Sequence, residues 1–359
     1  MKKIQKETNK FTSTDCEIEY DVYYVRCNED SNKNSYSYLE SYKDTSKDSK
    51  QNLEYKSHNT ESLRDCSLSH TSNHPQNAIL VQIAHGMVEH KDKYKFIATK
   101  LAQMGYIVAI NDHRGHGNSI GGEIFWGEMG ENGFEMAVED LHTLHTILCE
   151  RFKPKKFVLI GHSMGSLISR RYLQKYESNI DCLILCGTPS PHVCVNVGIR
   201  FLKTLRILGI NRIGRKIANR FSFASFNAKY HKPPYDEISS VRWINRDENE
   251  LRRHISDEKC RFLFTINSFI NLLGGVRTVF GKYPNPVRKP NLPIIFMSGE
   301  DDACGQFGKG VLSAFKHIQS QGYQNVKCTL YGGARHEILL ELNKEEVAKN
   351  IIDFIEQNL

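Results

Sequence analysis

The sequence predicts an α/β protein: a mostly parallel central sheet with helices on both faces and a helical cap inserted between late strands. From Ala78 onward, short apolar runs alternate with longer amphipathic stretches, the rhythm of parallel strands joined by crossover helices. That rhythm breaks once, between Cys186 and Leu292, where a long stretch of mostly helical pattern separates two strand-like runs. The chain has 359 residues, 40% of them hydrophobic, enough for a sizeable core.

The opening segment CEIEYDVYYVRC is rich in Tyr, Val and Ile with partial alternation. It predicts a strand or hairpin at a sheet edge and marks residues 1–27 as an N-terminal hairpin. Residues 28–76 are dominated by Ser, Asn, Lys, Asp and Glu, with too few apolar side chains to offset the entropy of ordering them. A disordered polar insertion is expected there. The strand-like runs are AILVQIA, YIVAIN, KFVLIG and DCLILC in a first core portion, 77–187, and LPIIFMSG and VKCTLY in a second, 292–359. Helical patterns fall at 91–104, 134–151, 164–176, 307–321 and 344–358. The excursion 188–291 reads as a helical cap over the carboxyl edge of the sheet.

The formal net charge is +7, and its distribution says more than its size. No acidic residue lies between Asp181 and Asp236, while Arg200, Lys203, Arg206, Arg212, Arg215, Lys216, Arg220, Lys229 and Lys232 all do. Within the same window, Val197, Phe201, Leu205 and Leu208 recur at helical spacing. An apolar stripe among cations suits an anionic membrane surface, or equally a cap packed on its own domain with a solvated basic face. Ten cysteines form no C-x-x-C pair and several lie in apolar runs, as free thiols do. The basic start has no apolar segment behind it, and no later run approaches membrane-spanning length. The expectation is a cytoplasmic protein, with peripheral membrane contact through the cap. The oligomeric state is not legible.

Two serines fit G-x-S-x-G, a pattern too short to identify chemistry alone. Ser163, in KFVLIGHSMGS, follows a strand without a spacer and opens a helical pattern. A strand-to-helix turn this tight strains the serine, and the flanking Gly161 and Gly165 leave room where a Cβ would collide. Ser119, in GNSIG, has neither neighbour and reads as an ordinary turn serine.

A serine hydroxyl becomes nucleophilic when an oriented histidine takes its proton. Where such an elbow carries a triad, the chain order is serine, acid, histidine. The acid then belongs in the turn after LPIIFMSG, where Glu300, Asp301 and Asp302 are all candidates. Of the histidines downstream, His317 lies within a helical pattern, whereas His336 hangs in GGARHE directly after the last strand. Donors for a developing oxyanion are expected from the amide of Met164, after the serine, and from that of Met87 in the loop His85-Gly86-Met87 that follows AILVQIA.

In order along the chain, HGMVEHKDKY, NDHRGHGNS, GHSMGS, SGEDD and YGGARHE resemble the monoglyceride lipase and lysophospholipase group of α/β-hydrolases, often labelled serine aminopeptidase-like. WINRD and DEKCRFLFT within the cap also resemble bacterial members. The resemblance spans 78–359 and implies an α/β-hydrolase fold with a catalytic Ser163, Asp302 and His336. It selects Asp302 because the group's acid lies three residues beyond the glycine of the SG pair. The group's proline after that aspartate is Ala303 here, and Arg261 replaces a common glycine. The implied substrates are single-chain lipid esters, monoacylglycerols or lysophospholipids, with no cofactor required. An aminopeptidase-like amide hydrolase and a non-catalytic binding protein are the alternatives. His113 and His116, preceding the serine, are expected to support the oxyanion loop.

Other site patterns fail. CGQFGKG lacks the first glycine and the terminal Ser or Thr of a phosphate loop. Leu340 occupies the second histidine of an HExxH motif begun by His336-Glu337, and His142 with His145 lack a third metal ligand. No metal site and no nucleic-acid partner are expected.

Overall fold

The computed structural model describes residues 3–25, 78–191, 194–230, 233 and 235–359. The expected polar insertion at 28–76 lies outside them.

Strands β1 (Ile4–Thr12), β2 (Glu17–Val25), β3 (Ile79–Ala84), β4 (Ile107–Asn111), β5 (Lys156–His162), β6 (Cys182–Cys186), β7 (Ile294–Gly299) and β8 (Val326–Tyr331) form one sheet in the order β1-β2-β4-β3-β5-β6-β7-β8. The six strands from β4 to β8 in that order are mutually parallel, while β1 and β2 enter antiparallel. The central strands are continuously buried, which explains why they read as unbroken apolar runs rather than as alternations.

Strands β1 and β2 pair as a hairpin at the sheet edge, with β1 outermost and β2 against β4. The β1 sequence, IQKETNKFT, alternates half-buried with exposed positions but carries Lys, Glu and Thr. Charged edge strands blunt aggregation and lose the apolar alternation that signals a strand.

One face of the sheet is covered by α1 (Lys95–Gln103) and α9 (Lys344–Asn358), the other by α2 (Gly133–Phe152), α3 (Met164–Tyr176) and α8 (Lys309–Ser320). Between β6 and β7 run α4 (Val195–Ile207), α5 (Asn211–Asn227), α6 (Glu248–Ser256) and α7 (Ile266–Val279). Side-chain caps start the last two: Asp247 accepts from the Asn249 amide, and Thr265 from that of Ser268. Not all of this excursion covers the sheet's edge. Phe264, Ile266, Phe269, Val276 and Val279 join the main core with α2 and α3, and Gly275 lies where a Cβ would come within 2.6 Å of the Phe134 ring. The final helix of the presumed cap is thus a core layer, a role that its helical period could not distinguish from a lid.

Helix α4 carries two apolar stripes. Val195, Ile199 and Leu202 point inward with Leu205 half-buried beside them, while Val197, Phe201, Ile207 and Leu208 are exposed. Arg200, Lys203, Arg206, Arg212, Lys216 and Arg220 are exposed around them. Of the stripe read from the sequence, only Leu205 turns toward the protein. No helix among the described residues is long and apolar enough to cross a membrane. The eight cysteines among them are all free.

Candidate active site

Three loops at the carboxyl ends of parallel strands converge. Ser163 links β5 to α3 with φ +52° and ψ −117°, a region that L-residues rarely occupy. The flanking glycines are required by contact. A Cβ at Gly161 would lie 2.4 Å from Ser169 Oγ, and one at Gly165 only 2.0 Å from the Ala84 carbonyl oxygen.

His336, after β8, places Nε2 2.8 Å from Ser163 Oγ. Its Nδ1 lies 3.0 Å from both carboxylate oxygens of Asp302, after β7. Asp302 is fully buried, and burial alone would raise its pKa. The facing imidazole and hydrogen bonds from the Cys304 and Gly305 amides outweigh that and hold the carboxyl below its usual range. An ionised carboxylate can only accept, so Nδ1 carries the ring proton and Nε2 of the neutral ring is left to accept from the serine hydroxyl. Asp301 instead pairs with Lys229 at 2.7 Å, and Glu300 is exposed. Of the three adjacent carboxylates, only Asp302 faces the imidazole.

Strand register sets the opposite wall. Ala84 of β3 pairs with Gly161 of β5, so Met87 and Met164 each lie three residues past a matched pair. Met164 opens α3, where the first amides have no helical acceptor. Among the described residues, neither amide donates to another backbone group. Val88, next to Met87 in the loop after β3, has φ +59°, unusual for a β-branched side chain. Trp243, from the WINRD segment, lies with its ring centroid 5.1 Å from that of His336 and roofs the site together with Phe223 and Phe226.

Sequence reasoning did not single out a buried network behind this arrangement. Glu89 accepts from the Gly86 amide at 3.1 Å and from the Tyr94 hydroxyl. Tyr94 Oη is 2.8 Å from His162 Nδ1, and His162 Nε2 is 3.1 Å from the His336 carbonyl oxygen. One chain of contacts therefore joins the loop after β3, the residue before Ser163 and the backbone of His336. Burial opposes charge on both Glu89 and His162, yet each favours the other's ionised form, so Glu89 is held well below and His162 above its ordinary value. Lys93 pairs with Glu337, next to His336. These residues stand within the quoted motifs, but partners this far apart in sequence cannot be matched by spacing.

His85, His113 and His116 pack together beneath the loop, with His85 ring centroids 4.3 and 5.3 Å from the other two. His85 Nε2 accepts from the His113 amide at 2.9 Å. Ser119 accepts from the Glu19 amide at 2.9 Å, far from His336 in role, and His317 bonds the Gly281 carbonyl. Burial and mutual repulsion hold His85 well below its ordinary value and push His113 down to about 3; burial holds His116 at about 4. The unfolded chain therefore protonates first as pH falls through 6.5. Stability present above that value drains away down to the folded pKa, at about 1.4 kcal/mol per pH unit for each histidine. The melting temperature is expected to fall steeply between pH 6.5 and 4, and His113→Gln to flatten the slope in circular-dichroism melts. His90 and His162, raised rather than lowered, contribute oppositely above pH 6.5.

A family model described as serine aminopeptidase, S33, matches residues 75–343. The chain belongs to this family of hydrolases. Monoglyceride lipase of Rattus norvegicus is 26% identical over 76% of the chain and 79% of its own length. A probable lysophospholipase L2 of Haemophilus influenzae is 23% identical over 77% and 83%. A monoacylglycerol lipase of Mycolicibacterium smegmatis is 30% identical over 36% of the chain, a match spanning only 44% of that relative. Among solved structures, a thermostable carboxyl esterase from Bacillus coagulans in complex with glycerol superposes with TM-score 0.72 at 23% identity, covering 98% of both chains. A monoglyceride lipase from Saccharomyces cerevisiae gives 0.61 at 17% identity over 98% of this chain and 95% of that one. These structures share the α/β-hydrolase fold.

Proposed function

We propose that this hydrolase cleaves carboxylic esters of single-chain lipids, monoacylglycerols or lysophospholipids, through an acyl-enzyme on Ser163. The reading is carried by the continuous contact Ser163–His336–Asp302 at 2.8 and 3.0 Å. His336 takes the Ser163 proton as Oγ attacks the ester carbonyl. Asp302 holds the imidazolium, and the amides of Met87 and Met164 receive the developing oxyanion. The imidazolium then protonates the leaving alcohol. Water repeats the sequence to release the fatty acid.

The substrate class is supported by the relatives' names together with the cap. Its exposed apolar and cationic side chains on α4 and α5 suit a surface of anionic lipid. Binding to anionic vesicles is expected to exceed binding to zwitterionic ones in co-sedimentation. Replacing Arg200, Lys203 and Arg206 with Gln should weaken it by about 3 kcal/mol at low salt, roughly two decades. Two further buried carboxylates, Glu89 and Glu337, are already engaged with His162 and Lys93, which leaves neither to grip a free amine as an aminopeptidase would. A panel of monoacylglycerols, lysophospholipids, short nitrophenyl esters and aminoacyl amides tests the reading. Fastest turnover of an aminoacyl amide would overturn it.

A further inference from the structure

The loop after β3 meets the turn after α6 at a cluster of mixed donors. An imidazole nitrogen of His90, a carboxylate oxygen of Asp257 and the sulfur of Cys260 all lie within 4.8 Å of one another. His90 and Cys260 are buried, while Asp257 is partly exposed. His90 Nε2 is 2.7 Å from Asp257 Oδ2, and Nδ1 on the other edge of the ring faces the Asp92 carboxylate at 3.6 Å. A cavity of about 370 Å³ opens beside them, with His254 and Glu250 also in its wall. We propose that His90, Asp257 and Cys260 bind one zinc-class divalent ion at the junction of the helical excursion and the core, its fourth position open to this cavity.

The donor set argues for the class of metal. One nitrogen, one oxygen and one sulfur suit a borderline-soft ion, whereas calcium and magnesium take oxygen alone. Bond lengths of about 2.0–2.1 Å to nitrogen or oxygen and 2.3 Å to sulfur place tetrahedral donors roughly 3.3–3.6 Å apart. With all three donors within 4.8 Å of one another, reaching that spacing takes side-chain shifts of about an ångström or less, the His90–Asp257 contact of 2.7 Å opening and the sulfur closing. Asp92, against the opposite edge of the ring, stands where an outer carboxylate orients a metal-bound imidazole.

Charge balance agrees. Neutral imidazole, carboxylate and thiolate carry two negative charges between them, which a divalent ion balances. Each ligand binds in its deprotonated form, so binding tightens as pH rises. Two ligands come from the excursion and one from the residue after Glu89, so the ion would tie the excursion to the loop that shapes the oxyanion wall. The site is separate from the ester chemistry, and its failure would leave that reading intact.

The test is a titration of the full chain, freed of metal by chelation, with cobalt(II) and then zinc(II) at pH 8. One equivalent of cobalt should bind and produce a near-ultraviolet thiolate-to-cobalt charge-transfer band, which zinc then abolishes. Cys260→Ser should lose the band, Asp257→Asn should weaken binding at least tenfold, and Cys194→Ser, at an exposed thiol, should change neither. Zinc should also raise the melting temperature of the wild type but not of Cys260→Ser. Absence of the band in the wild type overturns the proposal without reference to any variant. So does a band that survives in Cys260→Ser.

Discussion

Replacing Ser163 with alanine is expected to lower kcat on the best ester of the panel by about 10⁶-fold, the loss that follows removal of a triad serine. KM should change little, because the hydroxyl contributes to bond making rather than to holding the substrate. The size of the effect reflects how the site is built. Ser163 Oγ is 2.8 Å from the imidazole that faces Asp302, and among the described residues no neighbouring hydroxyl is placed to substitute. Ser166 Oγ is turned back onto the Ser163 carbonyl at 2.7 Å, and the other serine in a G-x-S-x-G sequence, Ser119, is committed to Glu19. Stability should hardly move, since alanine and serine suffer the same strain at φ +52° and the hydroxyl fills little volume. A fluorophosphonate probe gives the direct readout. Wild type should be labelled once and Ser163→Ala not at all; equal labelling of the two would falsify the assignment of the nucleophile.

Much of this arrangement was legible in the sequence because it is local. A strand ending on Gly161-His162-Ser163 and a helix beginning at Met164 are adjacent in the chain, so the turn and its steric demand for glycine could be read directly. The loop positions of His336 and of the three acids followed from strand ends in the same way. What was not legible depends on pairings across the fold. The residues alone left Glu300, Asp301 and Asp302 open and only the family resemblance chose Asp302; in the structure Lys229 pairs with Asp301 and the Cys304 amide with Asp302, pairings that spacing does not display. The link from Glu89 through Tyr94 and His162 to the His336 backbone crosses three elements. The contact between His90 and Asp257 spans 167 residues. The hairpin at 1–27 was read from the composition of β2 alone, because an edge strand needs solubility more than burial and β1 carries no apolar alternation of its own. Helix α7 was read as part of the lid because amphipathic period reports that a face is buried but not against what.

Asp302→Asn should cost about 10⁴-fold in kcat, roughly 5.5 kcal/mol of transition-state stabilisation, with the fold intact. The reason lies in the two carboxylate oxygens. Oδ1 accepts from the Cys304 amide at 2.9 Å and Oδ2 from Ser298 Oγ at 3.2 Å, and both stand 3.0 Å from His336 Nδ1. An asparagine keeps its carbonyl toward the Cys304 amide, which has no other acceptor to turn to, and so presents its NH₂ at the former Oδ2 position. That group donates to Nδ1, drives the ring proton to Nε2, and leaves nothing to accept from Ser163. The neighbouring Asp301→Asn is the control. Its ion pair with Lys229 is about half exposed and worth at most about 1 kcal/mol, so kcat should stay within a few-fold of wild type. The pH dependence carries the same sign. With its folded pKa below the ordinary carboxylate value, Asp302 adds stability that is complete above pH 3.8 and lost as pH falls through the folded value, a contribution the asparagine variant lacks. Kinetics of the two variants at pH 8, with melts at pH 8 and pH 3, separate the outcomes. A loss below tenfold for Asp302→Asn, or a larger loss for Asp301→Asn, would move the orienting role away from Asp302.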